Sequence, residues 1–244
     1  MKKCAKFIQR YKLPNEKYNF LGISAKNSNE WMISDLAFNL IGCAPVPFYQ
    51  RLTEDAVKHI VVEAELDCMF GFEEDLIHLL DQGHPNIKKY VCFEKPSETL
   101  KTKVGDAKLY DFWVELDDPE LEKYELKIPD DITIETTFTI SYTSGTTGVP
   151  KGAIVSNKNM LSCMYNVIYH VKLLEDDVLI SFLPLAHVFG RVVYFEMLAY
   201  GASIGNYRGD IKKIVEDINI LKPTYFPCVP RLFNRIYDMF TSGI

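Results

Sequence analysis

The 244-residue chain lacks the features that define several large classes of protein. Its longest uncharged stretches, 36–50 and 136–150, are 15 residues each. A membrane-spanning helix needs about 18 apolar residues, so neither stretch predicts one. Basic residues are not in excess either, because 33 acidic against 27 basic side chains give a net charge of −6. Nucleic-acid binding depends largely on Lys and Arg neutralising phosphates, so this balance argues against a nucleic-acid-binding protein.

Clustered cysteine and histidine are also missing. The six cysteines stand singly, with no C-x-x-C pair, and no two of the five histidines have the spacing of metal ligands on a helix. We therefore expect neither a zinc site nor a redox dithiol, and no metal ligand among these residues. Scattered cysteines are typical of a reducing compartment. The N-terminal residues do not form the apolar segment of a secretory signal. These features favour a cytoplasmic protein.

Helical and strand patterns alternate along most of the chain. This alternation predicts an α/β fold in which a sheet is layered with helices. Strands are expected at 20–23, 44–48, 68–70, 90–93, 136–142, 153–155, 178–182, 202–206 and 224–229. Helices are expected after a cap at Asn27 or Ser28 (closed by Gly42), after a cap at Thr53, and over 73–80, 157–171, 187–200, 210–221 and 231–240.

The segment 94–131 interrupts the alternation. It holds 12 acidic and 6 basic residues together with Pro96, Pro119 and Pro129. Dense charge and proline disfavour packed elements, so we expect an exposed, loosely structured excursion here.

The segment 142–152 carries the chemistry. It packs three glycines, four Ser/Thr hydroxyls and one lysine into eleven residues between two strand-like stretches. Glycines let the backbone approach a ligand closely, while backbone N–H groups and hydroxyls form a nest for an anion. A lysine adds positive charge beside a polyphosphate. This composition predicts a phosphate-binding loop, with a flexible surface loop as the alternative.

The loop does not follow either common nucleotide-binding pattern. A Walker loop would require a second glycine after four intervening residues from Gly145, followed by Lys-Ser/Thr, but Pro150 occupies that position and Gly152 follows Lys151. Gly-x-Gly-x-x-Gly is absent from the chain. These departures disfavour a kinase, a P-loop ATPase and a dinucleotide-binding turn.

The segment 142–152 resembles the phosphate-binding signature of the adenylate-forming enzymes, also called the AMP-binding superfamily. The likeness is greatest to its long-chain fatty acyl-CoA synthetases. Three further stretches resemble that family in the same order: 29–49, 183–191 and 209–235. The resemblance runs from about residue 20 to the end of the chain. Within the second stretch, Gly190 stands where the family commonly has an acidic residue.

The resemblance implies an α/β fold, the N-terminal part of an adenylate-forming domain over residues 1–244, with layered sheets and flanking helices. The small C-terminal domain of the family has no counterpart in the sequence. The implied function is a long-chain fatty acid–CoA ligase that uses ATP and Mg²⁺. It forms an acyl-adenylate from the fatty acid and then a thioester with coenzyme A. As given, the chain is expected to be an incomplete portion, inactive alone.

The resemblance also assigns roles to particular residues. Lys151 would neutralise the leaving pyrophosphate, and His187 would lie near the acyl carboxylate or the mouth of the acyl pocket. The remaining residues of the loop would hold the β- and γ-phosphates: Thr143, Ser144, Gly145, Thr146, Thr147 and Gly148. For His187, the alternative is a histidine at a helix start whose side chain is satisfied by the backbone.

Two other functions stay open from the sequence. One is a non-catalytic module that binds a nucleotide or a partner protein, and the other is an adenylate-forming enzyme for a different carboxylate. A cytoplasmic location is expected. The cytosolic face of the endoplasmic reticulum or of another membrane is an alternative for the full-length ligase, since its substrate partitions into lipid.

Overall fold

The computed structural model describes residues 1–14, 17–50, 52–83, 87–143, 149–210 and 213–241. The chain forms two compact units, Met1–Cys163 and Met164–Ile244. The boundary between them falls within a single helix, α8 (Asn157–His170). We describe each unit by itself.

The first unit alternates helices and strands, as the sequence predicts. Its elements are α1 (Lys2–Arg10), β1 (Phe20–Ser24), α2 (Asn29–Leu40), β2 (Ala44–Pro47), α3 (Glu54–Glu63), β3 (Cys68–Gly71), α4 (Glu73–Asp81), β4 (Lys89–Cys92), α5 (Glu98–Val104), β5 (Lys108–Asp111), α6 (Phe112–Asp117), α7 (Pro119–Lys123), β6 (Thr137–Thr143), β7 (Lys151–Ser156) and the start of α8. The predicted α/β fold class is confirmed.

Five strands form a parallel sheet in the order β2-β1-β3-β4-β5. In its register, Phe20 faces Ala44 and Gly22 faces Met69. Parallel neighbours need crossover connections, and the helices between these strands supply them. Every residue of β2 and β3 is buried, as expected for a sheet covered on both faces.

The core of the first unit lies on both faces of this sheet. On one face, α3 packs Val57, Ile60 and Val61 against sheet residues, and the same cluster includes Ile140 and Tyr142 of β6. Another group of buried aromatic rings runs across the sheet through Phe38, Phe70, Phe93 and Phe112. Their successive ring centroids are 4.9, 6.2 and 5.2 Å apart. Burial of Ile140 and Tyr142 in the cluster with α3 holds β6 beside the sheet.

The predicted N-terminal caps of α2 and α3, and the glycine predicted to close α2, are confirmed. The Ser28 hydroxyl accepts a hydrogen bond from the Trp31 amide at 3.1 Å, and the Thr53 hydroxyl accepts one from the Ala56 amide at 3.3 Å. Such caps stabilise a helix by about 1 kcal/mol each. Gly42, just beyond α2, adopts φ +71°, a conformation that favours glycine.

The prediction of a loosely structured excursion at 94–131 is wrong, because α5, β5, α6 and α7 lie within it. Side chains of Ser97, Asp111 and Asp118 cap its three short helices. Pro119 begins α7, where a missing N–H breaks no helical hydrogen bond. Six apolar side chains between the charges are buried, whereas Trp113, Val114 and Ile128 are exposed; the buried ones are Leu100, Val104, Tyr110, Phe112, Leu116 and Leu121. The charges therefore form the outer face of packed elements.

The second unit continues α8 and adds β8 (Val178–Ser181), α9 (Val188–Ala199), β9 (Ser203–Asn206), α10 (Ile214–Leu221) and α11 (Pro230–Thr241). Strands β8 and β9 pair in parallel across α9. The strand predicted at 224–229 is not formed, since only Tyr225 makes an isolated bridge, to Leu179. Pro223 and Pro227 have no backbone N–H to donate, which limits the pairing that this segment can make.

Candidate functional site

The strands that flank the predicted loop form an antiparallel hairpin, so the loop joins strand to strand as predicted. Its outermost Cα pair is Thr143 opposite Lys151. Both residues are exposed. The other predicted phosphate-binding residues lie outside the described residues: Ser144, Gly145, Thr146, Thr147 and Gly148. The hairpin thus brings a hydroxyl-bearing residue and a lysine together at the base of the glycine-rich segment.

Lys151 is available for a ligand. Its side chain is exposed at the first position of β7. Among the described residues, no carboxylate forms an ion pair with it. An ammonium group in this position is a compact positive charge with three donors, which suits a phosphate.

Strand β6 is fixed in place by buried polar contacts with β2 and the segment after it. The hydroxyl of Thr139, which is fully buried, donates to the carbonyl oxygen of Pro45 at 2.8 Å. Burial raises the pKa of the Tyr49 phenol, and the neighbouring Ser141 hydroxyl partly opposes that rise. The hairpin therefore extends from a strand with little freedom to shift.

Helix α3 contacts the residues on both sides of the loop. His59 Nε2 lies 3.0 Å from the carbonyl oxygen of Pro150. Since a carbonyl oxygen only accepts, we assign the proton to Nε2. One turn further along α3, the Glu63 carboxylate lies close enough to the Tyr142 phenol to affect its ionisation. Burial, and to a smaller extent this carboxylate, raise the pKa of Tyr142. The sequence analysis missed this pair because no local pattern connects it with the loop.

His187 occupies the N-cap of α9 in the second unit. Its Nδ1 accepts a hydrogen bond from the Phe189 amide at 3.1 Å, and its side chain is exposed. This contact is the one expected of a histidine at a helix start that is satisfied by the backbone. Because Nδ1 accepts, a neutral imidazole carries its proton on Nε2.

The third position of α9 requires glycine. A Cβ on Gly190 would lie 2.6 Å from the carbonyl oxygen of Pro184 and 2.9 Å from that of Leu183. An acidic side chain therefore does not fit this backbone, which accounts for the departure noted in the sequence.

Helix α9 also buries two charged residues that the sequence analysis did not single out as a pair. Arg191 is 1 % exposed and Glu196 is 0 % exposed. Burial raises the pKa of Glu196 to about 7. The signal available in the sequence was a single glutamate within an otherwise apolar stretch, 192–199.

Metal clusters and membrane-spanning helices are absent from the described part of the chain. Within it, no group of three or more His, Cys, Asp or Glu residues could hold a metal ion. None of its helices is both long and apolar enough to cross a membrane. All six cysteines are free thiols.

Residues 2–243 match the family described as "AMP-binding enzyme". The chain belongs to this family. It is 38 % identical to long chain acyl-CoA synthetase 4 of Arabidopsis thaliana, covering 89 % of this chain and 34 % of that protein. It is 36 % identical to long-chain-fatty-acid–CoA ligase 1 of Homo sapiens, covering 90 % of this chain and 32 % of that protein. The chain thus spans about a third of the length of these relatives.

Solved structures of adenylate-forming enzymes share the fold of this AMP-binding family member. The adenylation domain of the carboxylate reductase of Mycobacterium chelonae superposes with a TM-score of 0.84 at 17 % identity, covering 99 % of this chain and 39 % of that one. The o-succinylbenzoate CoA synthetase of Bacillus subtilis, in complex with ATP and magnesium ion, gives 0.71 at 17 % identity, covering 96 % and 44 %. At these identities the similarity establishes the fold alone.

Proposed function

We propose that this chain is the phosphate-binding portion of a long-chain fatty acid–CoA ligase, an acid–thiol ligase. The observation that carries the proposal is the exposed pair Thr143 and Lys151 at the base of the glycine- and hydroxyl-rich loop. Two relatives of more than 35 % identity bear the names of long-chain acyl-CoA synthetases or ligases. The names of these relatives suggest the substrate class, and the residues of the hairpin suggest phosphate binding.

In the proposed reaction, the carboxylate oxygen of the fatty acid attacks the α-phosphorus of ATP. The bond from that phosphorus to the bridging oxygen breaks, and pyrophosphate leaves. The thiol of coenzyme A then attacks the acyl carbon, AMP departs, and the thiol proton passes to solvent. The phosphate loop contributes by holding the polyphosphate and neutralising its charge, since positioning and electrostatic stabilisation dominate such transfers.

Within this scheme, Lys151 acts on the leaving group. Negative charge accumulates on the pyrophosphate oxygens as the phosphorus–oxygen bond breaks, and an ammonium group there stabilises the transition state. Thr143 and the hydroxyls of 144–147 would donate to the β- and γ-phosphates. A hydrogen bond to a charged group contributes about 1.5–3 kcal/mol.

We extend the proposal to the cofactors. The Bacillus subtilis neighbour was solved with ATP and a magnesium ion, which supports ATP and Mg²⁺ use in this family. The described side chains contain no ready-made cluster for a metal. No step is assigned to a magnesium ion. For His187, we retain a place near the acyl carboxylate as a proposal beside its observed role as a helix cap.

We also propose a cytoplasmic location, with the cytosolic face of a membrane as the place where the fatty acid is met. A long-chain fatty acid partitions into lipid, because each buried CH₂ contributes about 0.8 kcal/mol. The test is the distribution of tagged protein between membrane and soluble cell fractions. Recovery inside an organelle lumen would contradict the proposal.

Binding of inorganic tripolyphosphate and of ATP to the purified chain tests the proposed function. Calorimetry would compare the wild type with Lys151→Gln and with a control, Lys158→Gln, which alters another exposed lysine of the same unit. Loss of one charge-assisted contact should weaken binding about 10- to 100-fold for Lys151→Gln. The control should leave the affinity unchanged. A folded wild-type chain that binds neither anion would contradict the proposal, and binding without adenylation by a longer chain would favour the non-catalytic module.

A further inference from the structure

Helix α3 lies beside two residues, Tyr142 and Pro150, which stand at opposite ends of the phosphate loop. Tyr142 immediately precedes Thr143, and Pro150 immediately precedes Lys151. The Glu63 carboxylate lies near the Tyr142 phenol, and His59 Nε2 lies 3.0 Å from the carbonyl oxygen of Pro150. The two α3 side chains are themselves neighbours, with 3.6 Å between the histidine Nε2 and the glutamate Oε2.

We propose that His59 and Glu63 are positioning residues for the phosphate loop. From one turn of α3 they hold the residue before Lys151 and the residue before Thr143. The inference rests on the proposed function only for what the loop binds. The restraint itself is a property of the described contacts.

The contact at Pro150 removes the last free rotation before Lys151. The proline ring fixes φ near −65°, which leaves ψ as the soft dihedral of that residue. The direction of the carbonyl group depends on ψ, so a hydrogen bond from His59 to that oxygen selects one value. The peptide plane that leads into Lys151 is therefore set before any ligand arrives.

His59 and Glu63 lie on α3, a helix that is firmly anchored in the first unit. Thr53 caps the start of α3, and Val57, Ile60 and Val61 are buried in the core. A side chain on such a helix holds its partner more tightly than one on a loop. Ordering the ends of the loop in advance lowers the entropy lost when a phosphate binds, which raises affinity without a new ligand contact.

The 3.6 Å contact between His59 and Glu63 is a minor part of the arrangement. Their side chains are 34 % and 50 % exposed, and ion pairs at that exposure contribute little to stability. Loss of either contact should thus change the loop more than it changes the fold. This difference allows positioning to be separated from a general structural effect.

Three variants and one control test the inference. His59→Phe keeps a planar ring and removes the donor, whereas His59→Gln keeps an N–H at similar reach. Tyr142→Phe removes the contact at the other end without altering α3, so it still tests the inference should His59→Phe fail to fold. The control is Lys58→Gln, on the same helix, whose exposed side chain pairs only with Glu54 among the described residues.

Two readouts are measured on the 244-residue chain. Amide hydrogen exchange of the peptide 149–156 reports the restraint without any ligand, and titration with tripolyphosphate reports its effect on binding. We expect about fivefold faster exchange and about fivefold weaker binding for His59→Phe and for Tyr142→Phe. His59→Gln and the control should stay within about twofold of the wild type, with melting temperatures unchanged.

The outcomes separate this inference from the proposed function. Unchanged exchange in both His59→Phe and Tyr142→Phe would overturn the positioning role. Faster exchange with unaltered tripolyphosphate affinity would also overturn it, because the restraint would not serve the loop. Faster exchange in a chain whose wild type binds no tripolyphosphate would support the restraint and refute the proposed function instead.

Discussion

The hydroxyl of Thr139, in the middle of β6, donates to the carbonyl oxygen of Pro45 in β2, a residue 94 positions earlier in the chain. Strand β2 is the edge of the five-stranded sheet. It contains Pro45 and Pro47, which have no backbone N–H, so a neighbour on that side meets mostly carbonyl groups. The hydroxyl of Thr139 can donate a hydrogen bond to one of these carbonyls, although β6 does not pair regularly with β2.

Thr139→Val should therefore destabilise the first unit. Valine has the same shape, so the change removes the donor and leaves the buried Pro45 carbonyl without this hydrogen bond. We expect a loss of about 1–3 kcal/mol in the free energy of unfolding. Urea denaturation followed by the fluorescence of Trp31 and Trp113, both in this unit, measures it. The control is Thr102→Val on the exposed face of α5, and a loss no larger than that of the control would refute the interpretation.

Glu196→Gln should remove a pH dependence of stability from the second unit. The folded-state pKa of Glu196 is raised from 4.5 to about 7 by burial. An acid with a raised pKa binds its proton more tightly when folded, so its contribution is fully present below pH 4.5 and is lost as the pH rises through 7. The wild type should lose on the order of 2–3 kcal/mol over this range. At pH 8 the glutamine variant should be more stable than the wild type by that amount.

Hydrogen exchange of peptides from 188–206 is the suitable measurement for Glu196, because both tryptophans lie in the first unit. Tyr225 is a titratable neighbour, and burial and the carboxylate both raise the pKa of its phenol, so it stays neutral over this range. Glu175→Gln, at an exposed position of the same unit, is the matched control. Equal pH profiles for the wild type and Glu196→Gln would show that this carboxyl does not titrate as described.

Gly190→Ala should destabilise α9, although alanine is the better helix former. Its propensity alone would stabilise the helix by about 1 kcal/mol. The added Cβ, however, would lie 2.6 Å from the backbone oxygen of Pro184, and relief requires the turn to move. We expect a net loss of about 1–3 kcal/mol. Thermal denaturation measures it against Leu198→Ala, a partly exposed position of the same helix, and a rise in melting temperature would contradict the proposed close approach.

Much of the fold follows from local patterns in the sequence. Ser28 and Thr53 each precede an apolar helix pattern, and both cap as expected. In 94–131 the helix caps were not recognised from the sequence. Asp111 and Asp118 cap helices there, but a count of charged residues treats them only as negative charges. The opposite error occurred at 224–229, where an apolar run suggested a strand and the structure forms only an isolated bridge at Tyr225.

The site was predictable only in part, for a similar reason. The position of Lys151 opposite Thr143 follows from two strands on either side of a short loop. The contacts of Pro150 with His59 and of Tyr142 with Glu63 join residues about 80–90 positions apart, and a single sequence holds no signal for such pairs. They depend on packing of β6 beside the sheet, which is a tertiary property.

The long separation between Thr139 and Pro45 has a consequence for how this unit assembles. Strands β1 to β5 pair across crossovers of one or two helices, so they form contacts between nearby parts of the chain. The hairpin joins the edge of the sheet through a contact whose partners are 94 positions apart, and closure entropy grows with loop length. Non-local contacts of this kind form slowly. We therefore expect a nascent chain to acquire its sheet before its capacity to bind an anion.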